Sequence, residues 1–319
     1  MALNLSSLTK YTDQLATDLI YKAILAGRTF TTGVSIQTNI KYADALNLMT
    51  SNLIGIAGGS CGYSATGSVT LSQRDLQVCP ITVFENNCLN DLEQYWAGKL
   101  MKAGSYNEVL PFEVTYTEEK VAKIQALIED LFWLGSKDGN NTGAGSTTGN
   151  QTLCNGIMNV LQFTSATASV LIAGSTYSGF AKADAIDIID KVINTVTTSA
   201  SDILGQPDLN IYISYGNFNT LTQALREKNY FHYDANQGDY RINGYLGTNF
   251  NVIAVRGLNG SNKVVCSYAA NFYYGVDLEN DFETFEMWYE RFQDLVYFRS
   301  KFKMGAQVAF PEQVVLYKG

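Results

Sequence analysis

Residues 298–319, FRSKFKMGAQVAFPEQVVLYKG, carry the most informative pattern in this chain. From Phe298 to Met304 the two kinds of side chain alternate. Phe298, Ser300, Phe302 and Met304 fall on one face, and Arg299, Lys301 and Lys303 on the other. A period of two is the signature of a β-strand with one buried face. A second apolar run, Val314 to Tyr317, follows Pro311-Glu312. The chain as a whole is acidic, with a net charge of −8, so a cationic strand face needs a partner.

The nearest sequence candidate for that partner is acidic. Asp277, Glu279, Asp281 and Glu283 alternate with Val276, Leu278 and Phe282, and Glu286, Glu290 and Asp294 follow. Paired across a ladder, opposite charges contribute about 0.2–1 kcal/mol each. Between subunits they set register and partner choice more than affinity. A glycosidase could use two such carboxylates, for which Glu283 and Glu286 are the candidates, but closeness in sequence does not define the required pair. The alternating spacing reads instead as one face of a strand.

Upstream, the periodicity changes. Leu15, Leu19, Ile20 and Ala23 have helical spacing over 11–25. Residues 36–86 read as a long arm or hairpin, with GGSCGYSATGS as its small polar tip and SVTLSQRDLQVCPITVFE as an extended return. A short helix is expected over 88–102. A longer one is expected from an N-cap at Thr117, with Glu118 and Glu119 in the first turn and Gly135 as the stop. Helices are also expected over 183–204 and in FNTLTQALREKNY, with LNIYISY between them as a buried strand. From Asn229 onward the pattern is mostly β. The mixture gives fold class α+β.

Composition narrows function. Only 16% of residues are charged, against about 25% in an average protein, while 20 Tyr and 16 Phe are present. Such a chain either has an aromatic β-rich core or covers its surface with partners. The acidic balance argues against broad nucleic-acid or membrane affinity. The start, MALNLSSLTKYTDQ, has neither a cationic stretch nor a long apolar run, so no secretion signal is expected. The sequons at Asn4, Asn140, Asn150 and Asn259 then carry no sugar. The five cysteines, Cys61, Cys79, Cys88, Cys154 and Cys266, are widely spaced with no CxxC. They are expected to be reduced and mostly buried, and no metal site is expected.

Motifs for chemistry are incomplete. Gly58-Gly59-Ser60-Cys61-Gly62 matches G-x-S-x-G, but an expected strand follows it where a nucleophile elbow needs a helix. The single histidine, His232, has no companion nucleophile. GNNTGAGSTTG lacks the GK[ST] of a phosphate loop. No nucleophile, base and orienting group occur together. The residues point to a structural or binding protein with no catalytic residue and no cofactor.

In segment order the chain resembles the HK97-type major capsid proteins of tailed bacteriophages, and within them those of crAss-like phages. VTLSQRDLQVCPITVFENNCLNDLEQYW is similar to that family's return from its extended hairpin, the E-loop, into a short helix. Glu118 to Leu134 would be the spine helix, and Asn155-Gly156-Ile157 the glycine turn after it. Phe302-Lys303-Met304-Gly305-Ala306-Gln307-Val308-Ala309-Phe310-Pro311-Glu312 is similar to the family's closing pattern. The resemblance implies an N-terminal arm (1–35), an E-loop (36–86), a peripheral domain (87–165 and 276–319) and an axial domain (166–275). It implies self-assembly into pentamers and hexamers around double-stranded DNA, with portal, scaffold or decoration proteins as further partners. It also implies a virion location after assembly in the host cytoplasm.

Here only about 35 residues precede the hairpin, so a separate scaffold, or none, is expected. No Lys–Asn pair aligns with the crosslink some members form, so none is expected. Tyr63, Arg74, Asp75, Asp277, Glu279, Asp281, Glu283, Arg299, Lys301 and Lys303 are the candidate subunit-interface residues. The competing readings are a surface binding or adhesion module, a minor virion structural protein and a carbohydrate-active enzyme.

Overall fold

The computed structural model describes residues 29–55, 67–88, 111–137, 151–163, 170–174, 177, 179–228, 240–277, 286–290, 292 and 295–319. The expected helix over 11–25, residues 89–102 of the next one, residues 58–66 of the GGSCGYSATGS tip and His232 lie outside these residues.

In chain order the strands begin with β1 (Ser35–Gln37), β2 (Ala43–Asn52), β3 (Ser68–Gln77) and β4 (Cys79–Cys88). Helices α1 (Pro111–Leu134) and α2 (Ile157–Phe163) come next, then β5 (Leu171–Ile172) and α3 (Ala185–Ser199). After these lie β6 (Leu209–Ile213), α4 (Tyr215–Glu227), β7 (Arg241–Ile242), β8 (Asn251–Ala254), β9 (Val264–Tyr268) and β10 (Phe272–Gly275). The chain closes with β11 (Glu286–Glu290), β12 (Leu295–Val308) and β13 (Val315–Tyr317).

The alternating stretch is β12, and it organises one five-stranded sheet. Residues 295–304 pair antiparallel with β4, 295–299 with β11, and 305–308 with β10, beside which β1 runs parallel. The expected faces appear as read. Phe298, Ser300 and Met304 are buried, and Phe302 packs against the main core. Ile124 of α1 packs on Phe298. The apolar face of β12 therefore lies under the long helix.

That helix begins earlier than the Thr117 start read from sequence, at Pro111. A proline in the first helical position loses no hydrogen bond, because that N–H has no intrahelical acceptor anyway.

The second sheet has six strands in the order β5-β13-β9-β6-β8-β7. Every residue of β6 is buried, as expected for a strand covered on both faces. Leu209, Ile211 and Ile213 point to a core shared with α3 and α4, through Ile189, Val192, Leu221 and Leu225. Tyr212 points the other way, onto Trp133 of α1, ring centroids 5.0 Å apart. One core thus joins α1 to both sheets.

Two features of the fold carry no local sequence signal. The last strand, β13, leaves the β12 sheet and lies in the other one, antiparallel to β9 and parallel to β5. The expected arm, 1–35, enters the core before it ends. Thr29 is fully buried, Phe30 packs 5.4 Å from Phe132 and 4.6 Å from Tyr274 (centroid distances), and Val34 is buried. Removing residues 1–35 would therefore take core side chains with it.

Candidate subunit interface

Among the described residues, the clearest exposed apolar surface is the β2–β3 ribbon. Its ten pairs run from Ala43↔Gln77 to Asn52↔Ser68. Alternation along the ribbon shows two different apolar faces. At the root, Leu46, Leu48 and Leu76 share one face and are buried with Ile40 and Val78. Further out, Met49, Leu71 and Val69 occupy the opposite face. Met49 and Leu71 are direct partners in register, and Leu71 is 77% exposed. Beyond β2, Leu53 is 95% exposed and Ile54 is exposed too. A two-stranded ribbon is marginal by itself, and an outward apolar patch of this kind marks a binding surface.

The root is held against β12. A side chain on Gly305 would collide with the Gln77 carbonyl, so only glycine permits this approach. Gln307 Nε2 donates to the Asp75 carbonyl at 2.8 Å. Asp75 itself is exposed and stands opposite Ala45. Arg74, half-buried, stands opposite Leu46. Partial burial lowers the Arg74 pKa from its ordinary value, and the nearby Glu312 carboxylate opposes the shift.

The cationic face of β12 finds its expected kind of partner at Lys303. Lys303 is ion-paired with Asp277, and Lys41 Nζ lies 3.6 Å from the other oxygen of the same carboxylate. This pair closes within one chain, so neither residue is a free interface charge. Lys41 carries no sequence signal for this role because it lies more than two hundred residues from the acidic run. Arg299 is half-buried, in register with Glu286 on one side and Phe84 on the other. Its guanidinium carbon lies 5.9 Å from the Trp288 ring centroid. Lys301 is half-buried opposite Thr82. On the same face Phe84, Tyr297 and Trp288 form a cross-strand ladder, with centroids 5.5 and 5.4 Å apart. Tyr63, Glu279, Asp281 and Glu283 lie outside the described residues.

Asp277 has 6% side-chain exposure. A buried carboxylate that loses its nearer cation keeps its desolvation cost. Lys303→Met is therefore expected to destabilise the subunit by about 2 kcal/mol. The check is a lower urea midpoint with an unchanged slope.

A second acidic cluster sits where α1 meets the start of the folded body. Thr29 Oγ1 donates to Glu129 Oε1 at 2.8 Å and accepts from Trp133 Nε1 at 2.9 Å. Burial pushes the Glu129 carboxyl up, while Thr29 and Arg256 oppose the shift. Next to it, Asp130 lies 3.7 Å from Arg256 Nε. Burial raises the Asp130 pKa to about 6; Arg256 lowers it and Glu129 adds to the rise.

A carboxyl whose pKa is raised on folding binds its proton more tightly in the native state. Its contribution to stability therefore falls as pH rises from about 4 to 6. Because a third of the Asp130 side chain reaches solvent, the expected loss is about 1–2 kcal/mol. Denaturation midpoints at several pH values should show that slope. Asp130→Asn should flatten it.

Cysteine chemistry corrects one expectation. Cys79, the first residue of β4, and Cys154, after α1, form a disulfide with Cα atoms 5.7 Å apart. Among the described residues Cys266 is free and buried, and burial pushes its thiol up. No group of three or more metal-ligating side chains occurs among the described residues, and no described helix is long and apolar enough to cross a membrane.

The architecture has solved counterparts. The satellite phage P4 procapsid, which includes the size determination (Sid) protein, superposes with a TM-score of 0.61 at 11% identity, covering 94% of this chain and 89% of that one. The capsid of Myoviridae phage XM1 gives 0.56 at 12% identity, covering 92% of each chain. This is an HK97-like capsid fold. The virus-like particle from Pyrococcus furiosus agrees, with a TM-score of 0.53 at 12% identity over 96% of this chain and 99% of that one. No family model and no curated protein matches the sequence. In the terms of this fold, α1 takes the place of the spine helix and the β2–β3 ribbon that of the E-loop.

Proposed function

We propose that this chain is the major capsid subunit of a tailed bacteriophage, akin to those of crAss-like phages. In this reading it assembles with itself into pentamers and hexamers that enclose double-stranded DNA. Closed rings of this kind use head-to-tail contacts between unlike patches. The observation that carries the reading is the projecting β2–β3 ribbon, whose outer apolar face is left exposed by the described residues. A neighbouring subunit covers that face in a shell.

The proposed division keeps an arm before Thr29, the hairpin as E-loop, a peripheral part around α1 and the β12 sheet, and an axial part around α3, α4 and β6. The terminal β13 returns to the axial sheet. Contact with DNA is weak and non-specific, consistent with the −8 charge. Portal, scaffold or decoration proteins are the other partners, and assembly takes place in the host cytoplasm. The role is structural, with no reaction catalysed and no cofactor.

The test is light scattering and negative-stain microscopy of the expressed full chain, alone and beside its companion virion proteins. Rings or shells are the expected result. A persistent monomer under both conditions overturns the proposal.

A further inference from the structure

We infer that the Cys79–Cys154 bridge is a redox latch on the root of the hairpin, a dithiol while subunits assemble and a disulfide once the particle meets oxidising surroundings. The timing rests on the proposed shell function; the chemistry does not. Disulfides are rare in reducing cytosol and persist outside it, so a bridge in a chain assembled there needs a later closing step.

The position gives the bridge its effect. Cys79 follows directly on Gln77 and Val78, where the hairpin ends and β4 begins. It stands opposite Met304 in the β12 ladder. Cys154 lies 75 residues further along, beyond the C-terminus of α1. The bond therefore ties the strand that carries the hairpin to the end of the long helix. Among the described residues of the hairpin, burial is concentrated at its root, so whatever fixes the root fixes the direction of the ribbon.

The site also accommodates the reduced state. Cys154 Sγ lies 3.3 Å from the Met304 carbonyl oxygen. In the bridge that sulfur has no proton to give. As a thiol it donates to this carbonyl, so opening the bond leaves no stranded polar group. Access is unequal: Cys79 is part-exposed, whereas Cys154 is 1% exposed.

Closure then follows the usual exchange, with a small-molecule disulfide as oxidant. The Cys79 thiolate attacks one sulfur of the oxidant, forming a mixed disulfide and expelling one small thiol. The Cys154 thiolate attacks Cys79 Sγ, closing the bridge and expelling the second thiol. Both cysteine protons and two electrons leave with the two thiols.

The experiment traps thiols in the full chain by lysing cells directly into excess alkylating agent. A parallel sample is incubated with oxidised glutathione before alkylation. Mass spectrometry of the Cys79 and Cys154 peptides should show both alkylated in the first sample and bridged in the second. Oxidised wild type should melt several degrees above its reduced form. Cys154→Ser, which keeps a donor for Met304, should melt like the reduced form with or without oxidant.

A bridge already complete in the trapped sample overturns the inference. So does the absence of a bridge after oxidation, or a melt that ignores the redox state. If the chain forms no particles, the shell reading fails, but the latch is decided by the same comparison on the soluble chain.

Discussion

Gly156→Ala is expected to leave little soluble folded subunit. Gly156 opens the turn into α2 and lies against the last turn of α1. A methyl group there would stand 2.7 Å from the Phe132 carbonyl oxygen, 2.8 Å from the Gly135 amide nitrogen and closer still to the Leu131 carbonyl oxygen. All three are backbone atoms, so no side chain can rotate away. Gly156 N also donates to the Gly135 carbonyl at 2.8 Å, and its own carbonyl accepts from Val160 N at 3.1 Å. Shifting the turn would break the bond to α1 and the first bond of α2 together. Overpacking in a fixed core costs about 1–3 kcal/mol, and the lost hydrogen bonds add about 1 kcal/mol each. Against a typical stability of about 5–15 kcal/mol, the soluble yield and the urea midpoint should both fall sharply. A melt within a degree of wild type would show that α1 and α2 are not held at this contact.

The second expected result separates folding from assembly. Met49→Lys combined with Leu71→Glu places opposite charges on two residues that face each other in register. The cross-strand pair keeps a favourable contact worth about 0.2–1 kcal/mol, so the hairpin retains its register. Both positions are already exposed in the single chain, Met49 at 65%, so subunit stability should move by less than about 0.5 kcal/mol. The apolar patch that a neighbouring subunit would cover is gone, and burying the new charges there would cost several kcal/mol. The double variant should therefore fold normally, melt like wild-type monomer and form no shells. Shells of normal size and yield would show that the outer ribbon face is not an interface.

Much of the fold is legible in the sequence because its signals are local. The strict alternation of Phe298–Met304 marks β12 and assigns its buried face, since a period of two leaves no other choice. The run Leu209–Ile213 marks a strand covered on both sides. The helical spacing of Val121 to Leu131 marks the core of α1, although its first turns are masked by weak periodicity and begin at Pro111. Asn155-Gly156-Ile157 reads in sequence as the family's glycine turn, and the backbone atoms around Gly156 supply its physical reason.

The candidate interface was harder to read. Arg74 and Asp75 lie on the hairpin as expected, but the apolar residues that project from it, Met49, Val69 and Leu71, look in sequence like any half-buried strand. Alternation assigns side chains to two faces and does not say which face the rest of the protein covers. The charges left two readings open, pairing within one subunit or between subunits. Asp277 and Lys303 meet inside one subunit, with Lys41 arriving from a distant segment.

By itself, then, the sequence determined the α+β class, most of the described elements and the inward face of β12, because these depend on neighbours a few residues apart. The tertiary structure decided the rest: β13 crossing to the second sheet, Thr29 and Phe30 belonging to the core, Cys79 meeting Cys154, and the ribbon turning its apolar side outward. Each of these depends on contacts between segments tens to hundreds of residues apart, for which no local period exists.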